Sequence, residues 1–389
     1  MKPTNDRAVQ RVLVVIGIAA TIFGGALLVS RLPFSREPSG IPSTTATIVS
    51  GEVKRPVLLA EGNRVANAEL TLRGVAAKLN SVQSTKASLD LLLELRVTLG
   101  SLPAAAASEL AQRFLATGTD ARTLLPFSLG PGGSLQDAPS LRLFLLDYLE
   151  QIDPAAAVQV GLEILKRMDS ADEWALALRS VAKFDRSAGS RVLLQEKLRQ
   201  LFSHESWQQD PSVGYLESFD VAVHLGGNNL LQDLTRLLRM TNNQAVAHAA
   251  FLATDRLVQS DPTPVLATLL SEIGLMEGRE ATRANYFARA DVSNSAQRQF
   301  VQDYLLNPKV TPSELDAFAD VFPNENSMIS NNLLTKTAPR NGTQIQARDI
   351  QTLQTINLWL QDPRFKNVVP QLNTIRSRLE SFLRKPPPP

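Results

Sequence analysis

The chain has 389 residues, 44% of them hydrophobic, which is enough for one large core or two ordinary ones. It contains no cysteine, so disulfides, thiolate metal sites and cysteine nucleophiles are excluded. Residues 1–30 hold three of the 40 basic and one of the 38 acidic side chains, so the rest of the chain carries 37 of each. This neutral body predicts no nucleic-acid binding, which usually needs a basic excess.

An uncharged apolar run lies close to the N-terminus. A bilayer core about 30 Å thick needs roughly 20 apolar residues in a helix. The run therefore predicts a single transmembrane anchor over 12–30, with a cleaved signal peptide or a buried core helix as alternatives. Three basic residues within 1–11 indicate a cytoplasmic N-terminus and a periplasmic or otherwise extracytoplasmic body.

The segments that flank the main body have low-complexity character. Residues 31–56 are rich in proline, serine, threonine and glycine, and this composition predicts a flexible linker. Residues 386–389 are four prolines, which predict a short polyproline tail. Between them, residues 57–385 are predicted to form the folded domain.

Almost all of that domain has the apolar spacing of helices, and convincing alternating strands are absent from the sequence. Leu141, Leu145, Tyr148 and Ile152, for example, would share one face of a helix. The fold class predicted is therefore all-α, after the N-terminal transmembrane helix and linker.

The predicted helices come in pairs that are separated by short joints. In Asp153-Pro154 and Asp261-Pro262, the aspartate is expected to cap the second helix and the proline fits its first turn. The joints fall at Pro103, Pro154, Arg186, Asn228 and Pro262. Most of these intervals lie near the two-helix repeat lengths of about 34–47 residues.

On these joints and helix pairs, residues 89–275 and 343–384 resemble a HEAT- or armadillo-like α-solenoid. The resemblance is at the level of the fold, and the joint motifs at 153–158 and 261–265 carry most of it. It implies stacked helix pairs with long surfaces suited to a protein partner. An irregular helical bundle is the alternative architecture.

Candidate chemistry is sparse. His204, His224 and His248 do not form a metal-ligand spacing, and all three are predicted to be structural. Asp169, Asp172 and Glu173 stand at a predicted helix start, where negative charge is favourable, and are interpreted as capping residues. No catalytic, cofactor-binding or metal-binding residue is predicted, and no cofactor.

An inserted loop, residues 117–140, holds the candidate partner-binding residues Leu124, Leu125 and Phe127. Such an apolar cluster in a loop either packs onto the helices or contacts a partner. The leading hypothesis is a membrane-tethered, extracytoplasmic scaffold that binds an unknown protein. The alternatives are a cell-envelope enzyme that acts on glycans through two carboxylates in a groove, and a self-assembling structural subunit. The sequence predicts no oligomeric state.

Overall fold

The computed structural model describes the backbone of residues 54–384 and the side chains of residues 62–384. Many helices pack together in this part of the chain, as the all-α prediction requires. In chain order they are α1 (Lys54–Leu79), α2 (Thr85–Gly100), α3 (Ala104–Ala116), α4 (Leu141–Ile152), α5 (Pro154–Ile164), α6 (Ala171–Phe184), α7 (Ala188–Ser203), α8 (Glu205–Gln209), α9 (Val213–Glu217), α10 (Phe219–Leu225), α11 (Leu231–Leu238), α12 (Gln244–Ser260), α13 (Pro262–Ser271), α14 (Glu280–Phe287), α15 (Ser295–Leu305), α16 (Pro312–Val321), α17 (Gly342–Gln361) and α18 (Val369–Leu383).

A small β-hairpin lies within the inserted loop. Strand β1 (Ser128–Leu129) pairs antiparallel with β2 (Leu135–Asp137), and a short 3-10 turn over Pro131–Gly133 joins them. The sequence indicated only an inserted loop here. Strands of two and three residues show no readable period of two, so the pattern could not indicate them.

The structure contradicts the predicted single-pass membrane architecture and the extracytoplasmic localisation that depended on it. Among the helices of residues 54–384, none combines the length and the apolar character needed to cross a bilayer. The correction to the fold class is an all-α chain without a membrane-spanning helix in this range. The apolar run at 12–30 and the segment 1–11 lie outside the described residues.

The predicted linker, residues 31–56, and the predicted proline tail, residues 386–389, lie at the two ends of the described residues. Residues 54–56, placed in the predicted linker, are the first residues of α1. The rest of that linker and the proline tail at 386–389 lie outside the described residues.

The joints between helices are built partly as predicted. The Asp153 carboxylate accepts a hydrogen bond from the Ala156 N–H at 3.1 Å, which confirms it as the cap of α5. Asp261 makes no such bond at the start of α13. Its carboxylate accepts instead from the Gly227 N–H at 2.9 Å, 34 residues earlier. The same Asp-Pro motif therefore serves a local cap in one joint and a contact between helix pairs in the other.

Helices pack mainly on others that are close in sequence, as in α4 with α5 and α6, α10 with α12, and α14 with α16. Several partly or fully buried ion pairs join side chains 31 to 36 residues apart: Arg142–Glu173, Asp220–Arg256, Asp255–Arg289 and Arg283–Glu314. One continuous apolar core runs beneath them. Within α4, every residue from Leu141 to Glu150 is buried.

Candidate functional site

Helix α2 exposes large apolar side chains on the face opposite its core. Leu92 and Leu99 are buried against the neighbouring helices. Leu89, Leu93 and Val97 are 45%, 60% and 67% exposed. Because they follow one another at intervals of four residues, these three side chains form one stripe along the helix. Contiguous exposed apolar surface of this kind is typical of interaction sites.

The stripe borders a cavity of about 300 Å³, which we call the apolar cleft. The cleft lies between α2, the inserted loop and α4. Its lining includes Leu89, Leu93, Leu125, Leu135 and Phe144. The Arg96 guanidinium lies 5.2 Å from the centre of the Phe144 ring, so a cation–π contact places a positive charge beside the apolar wall.

The structure places the three predicted partner-binding residues differently. Leu124 is 51% exposed, and its N–H donates to the Ser88 Oγ on α2 at 3.3 Å. Leu125 is buried and lines the apolar cleft. Phe127 is buried in the main core. The sequence therefore indicated the loop but missed the α2 stripe, whose apolar residues showed only the spacing of a helix.

A second feature is the irregular stretch between α16 and α17, residues 323–341, which we call the crossing segment. It runs back over elements that come earlier in the chain, among them α10 and the β-hairpin, the latter about two hundred positions away. Near its start, the Asn324 N–H donates to the Ala288 carbonyl at 2.8 Å. The Arg289 guanidinium donates to the Asn324 carbonyl at 3.2 Å. These two bonds fix the segment against the end of α14.

Asp220 on α10 binds the middle of the crossing segment. Its fully buried carboxylate accepts hydrogen bonds from the backbone N–H groups of Leu334 and Thr335 at 2.7 and 2.8 Å. The Thr335 hydroxyl also donates to it. Arg256 on α12 donates to the same carboxylate at 3.0 Å and balances its charge. A hydrogen bond to a charged acceptor is roughly twice as strong as one between neutral groups.

The crossing segment also contacts the β-hairpin. The Asn331 side-chain amide donates to the Leu129 carbonyl at 3.0 Å, a bond between residues 202 positions apart. Leu333 is fully buried, and its carbonyl lies against Gly133. Gly133 is itself fixed to α6, because its carbonyl accepts a hydrogen bond from the buried Arg179 guanidinium at 2.5 Å.

Two cavities flank the crossing segment. One of about 490 Å³ is lined by Leu194, Leu225, Leu333 and Leu334, with charged groups around them. The other, of about 610 Å³, lies beside residues 335–340.

Two carboxylates line the larger cavity. Glu325 accepts from Arg340 at 2.8 Å and pairs with Arg348. Asp291 accepts from the Ser293 hydroxyl at 2.7 Å. Both are engaged by neighbours, so this geometry does not favour a general acid and base pair at this place.

Asp172 and Glu173 lie in the first turn of α6, where the sequence predicted negative charge at a helix start, and Asp169 precedes that helix; none of the three is its side-chain cap. Ser170 is the cap, since its hydroxyl accepts from the Glu173 N–H at 3.3 Å. The Glu173 carboxylate receives two hydrogen bonds from Arg142 at 2.7 and 2.9 Å. Asp172 accepts from the Gly214 N–H at 2.9 Å. Both acids therefore join neighbouring helix pairs.

The histidines lie apart from one another in the structure. His204 stacks on Trp207 with ring centres 4.2 Å apart, and His248 is exposed beside Phe251. His224 is exposed and lines both cavities next to the crossing segment. Over residues 54–384, no group of three or more histidine, aspartate or glutamate side chains is placed to hold a metal ion.

Glu217, one turn before Asp220, gives stability a pH dependence. Burial raises the pKa of its carboxyl to about 7, although Arg256 nearby acts in the opposite direction. Between pH 4.5, the ordinary pKa of a glutamate, and about pH 7, Glu217 keeps its proton in the folded chain and releases it in the unfolded chain. Its contribution to stability is therefore complete below pH 4.5 and is lost as the pH rises through 7.

We expect Glu217→Gln to raise the free energy of unfolding above pH 7 by roughly 1–3 kcal/mol. Denaturant titrations at pH 5, 7 and 8.5 measure this, and the difference from the parent chain should shrink toward pH 5. Glu205→Gln, on the exposed surface of α8, is the control. Equal behaviour of the two variants at all three pH values would contradict the raised pKa.

Comparison with protein-family models, curated proteins and solved structures finds no match to this chain. The candidate site therefore rests on the chain's own geometry.

Proposed function

We propose that this protein is a non-enzymatic helical-repeat scaffold, of the HEAT- or armadillo-like type, that binds another protein at its apolar cleft. The observation that carries the proposal is the α2 stripe. Leu89, Leu93 and Val97 remain exposed on a helix whose other leucines are buried or half-buried. Leaving three large aliphatic side chains in water on one helix face is unfavourable unless a partner covers them.

The ion pairs between neighbouring helix pairs support the repeat architecture. Their spacing of 31 to 36 residues lies near the length of a two-helix repeat. Each repeat in such a fold buries its apolar face against the next one, and the array offers long surfaces to partners. The short α8, α9 and α10 depart from a regular repeat, since they replace one long helix with three pieces.

The shape of the apolar cleft favours an amphipathic helix as the partner element. A helix presents anchors at intervals of three and four residues, and these match the four-residue spacing of the α2 stripe. One anchor would enter the 300 Å³ cavity between Leu93 and Phe144. Leu124, exposed beside α2, would extend the contact toward the inserted loop.

A charged residue within the stripe tests this proposal. We expect Leu93→Asp to weaken capture of the partner by at least about tenfold, because it places a hydrated carboxylate at the centre of an apolar contact. The measurement is quantitative crosslinked pull-down from an extract of the source organism, with circular dichroism as the check on folding. Leu358→Asp is the matched control, since Leu358 is 67% exposed on α17, a different helix.

Loss of the same captured protein with both variants, or with neither, would contradict the proposal. Light scattering on the same three proteins covers the self-assembly alternative. If the parent chain forms an oligomer that Leu93→Asp alone dissociates, a second copy covers the stripe and the partner is the chain itself.

A further inference from the structure

We propose that the surface beneath the crossing segment is a peptide-binding site that the chain's own residues 332–335 now occupy. Its ligand would be an extended segment of another protein in which two apolar residues precede a hydroxyl residue, as in Leu333-Leu334-Thr335. This surface is separate from the apolar cleft, so neither proposal rests on the other.

The recognition chemistry is that of a bound peptide. The Asp220 carboxylate accepts hydrogen bonds from two successive backbone N–H groups and from the Thr335 hydroxyl. Leu333 supplies the buried anchor against the hairpin. Backbone bonds give affinity in such complexes, and buried side chains give specificity. All of these contacts are non-covalent, so a separate peptide of the same sequence could make them.

The stretches directly before and after the buried and half-buried residues 332–335 are exposed to solvent. Residues 326–331, which precede the buried stretch, are all exposed, and so are most of residues 336–340. A short anchored stretch between exposed loops can detach without unfolding the helices beneath it. Such local opening would free the Asp220 carboxylate for a ligand.

The segment also leaves room unfilled on either side. Cavities of about 490 and 610 Å³ adjoin it, and the smaller one has Leu194 and Leu225 in its wall. A ligand with longer side chains would fill space that the chain's own residues leave empty. The internal occupant then acts as a competitor, because a site that is rarely open lowers the apparent affinity by the fraction that is open.

The test uses the full chain and a fluorescein-labelled peptide of residues 329–338, followed by fluorescence anisotropy. Leu333→Gly together with Thr335→Gly weakens the internal occupant, and we expect this variant to bind the peptide at least about tenfold more tightly than the parent chain. N-methylation of the peptide at Leu334 and Thr335 removes the two donors to Asp220 and should cost about tenfold or more. A peptide N-methylated at Ile329 and Lys336, both exposed in the chain, is the control.

A folded variant that does not bind the peptide, or binds both N-methylated peptides equally, would overturn the proposal. So would a dimer of the variant that Asp220→Asn dissociates, because the occupant would then be a second copy. If the variant does not fold, hydrogen exchange of the parent chain decides. Exchange of the Leu334 and Thr335 amides faster than those of α12 supports a displaceable occupant, and exchange only through global unfolding overturns it.

Discussion

Replacing Arg179 with methionine should lower the free energy of unfolding by about 3–5 kcal/mol, the usual cost of leaving buried charges without their partner. Arg179 is fully buried on α6. Its guanidinium donates to the Glu150 carboxylate at 2.8 Å and lies 2.9 Å from Asp147 Oδ1, in an ion contact whose angle is not that of a hydrogen bond. Both acids are buried on α4. In the variant, only the half-exposed Lys183, 3.0 Å from Glu150, remains to balance the two carboxylates.

Denaturant unfolding of the parent chain and the Arg179→Met variant measures this loss. Lys166→Met is the control, because its pair with Glu163 is exposed and should contribute less than about 1 kcal/mol. Adding Asp147→Asn and Glu150→Gln to Arg179→Met should recover part of the stability, since it removes the unpaired charges. A loss no larger than that of the control would mean that these charges reach solvent.

The sequence was most informative where the interactions are local. The start of α5 was predictable because Asp153 caps an N–H only three residues away. The apolar period of α4 was visible, although the sequence suggested one buried face and the structure buries nearly the whole helix. Periodicity reports where apolar residues lie around a helix. It does not report how many neighbours surround that helix.

The same reasoning explains what the sequence missed. Glu173 stands in the first turn of α6 as the sequence indicated, but its partner Arg142 lies 31 positions away on another helix. Asp220 binds Thr335 across 115 positions, and no local pattern could indicate that contact. In α2 apolar residues occur on both faces, so the spacing could not separate the buried Leu92 from the exposed Leu93. The candidate site lies largely in such non-local contacts.

The hairpin turn offers the second large expected effect, through two neighbouring glycines. Gly132 and Gly133 both have φ of +77°, a region that costs a residue with a side chain about 1–2 kcal/mol. They differ in their surroundings. A Cβ on Gly132 would meet no atom within 4 Å. A Cβ on Gly133 would lie 1.9 Å from the Leu333 carbonyl oxygen and 2.7 Å from its carbon. Both are backbone atoms, so the crossing segment itself would have to move.

Gly133→Ala should therefore cost about 1–3 kcal/mol more than Gly132→Ala, because only the first adds overpacking to the common backbone strain. Denaturant unfolding of the two variants gives this difference directly. Hydrogen exchange gives its location: the Leu334 and Thr335 amides should exchange faster in Gly133→Ala and at the parent rate in Gly132→Ala. An equal loss in both, with these amides unchanged, would mean that the hairpin does not hold the segment. If only Gly133→Ala frees the amides, the contact of Leu333 with the hairpin and the bonds to Asp220 form one unit, and the occupant of the proposed peptide site is held at both ends of its buried stretch.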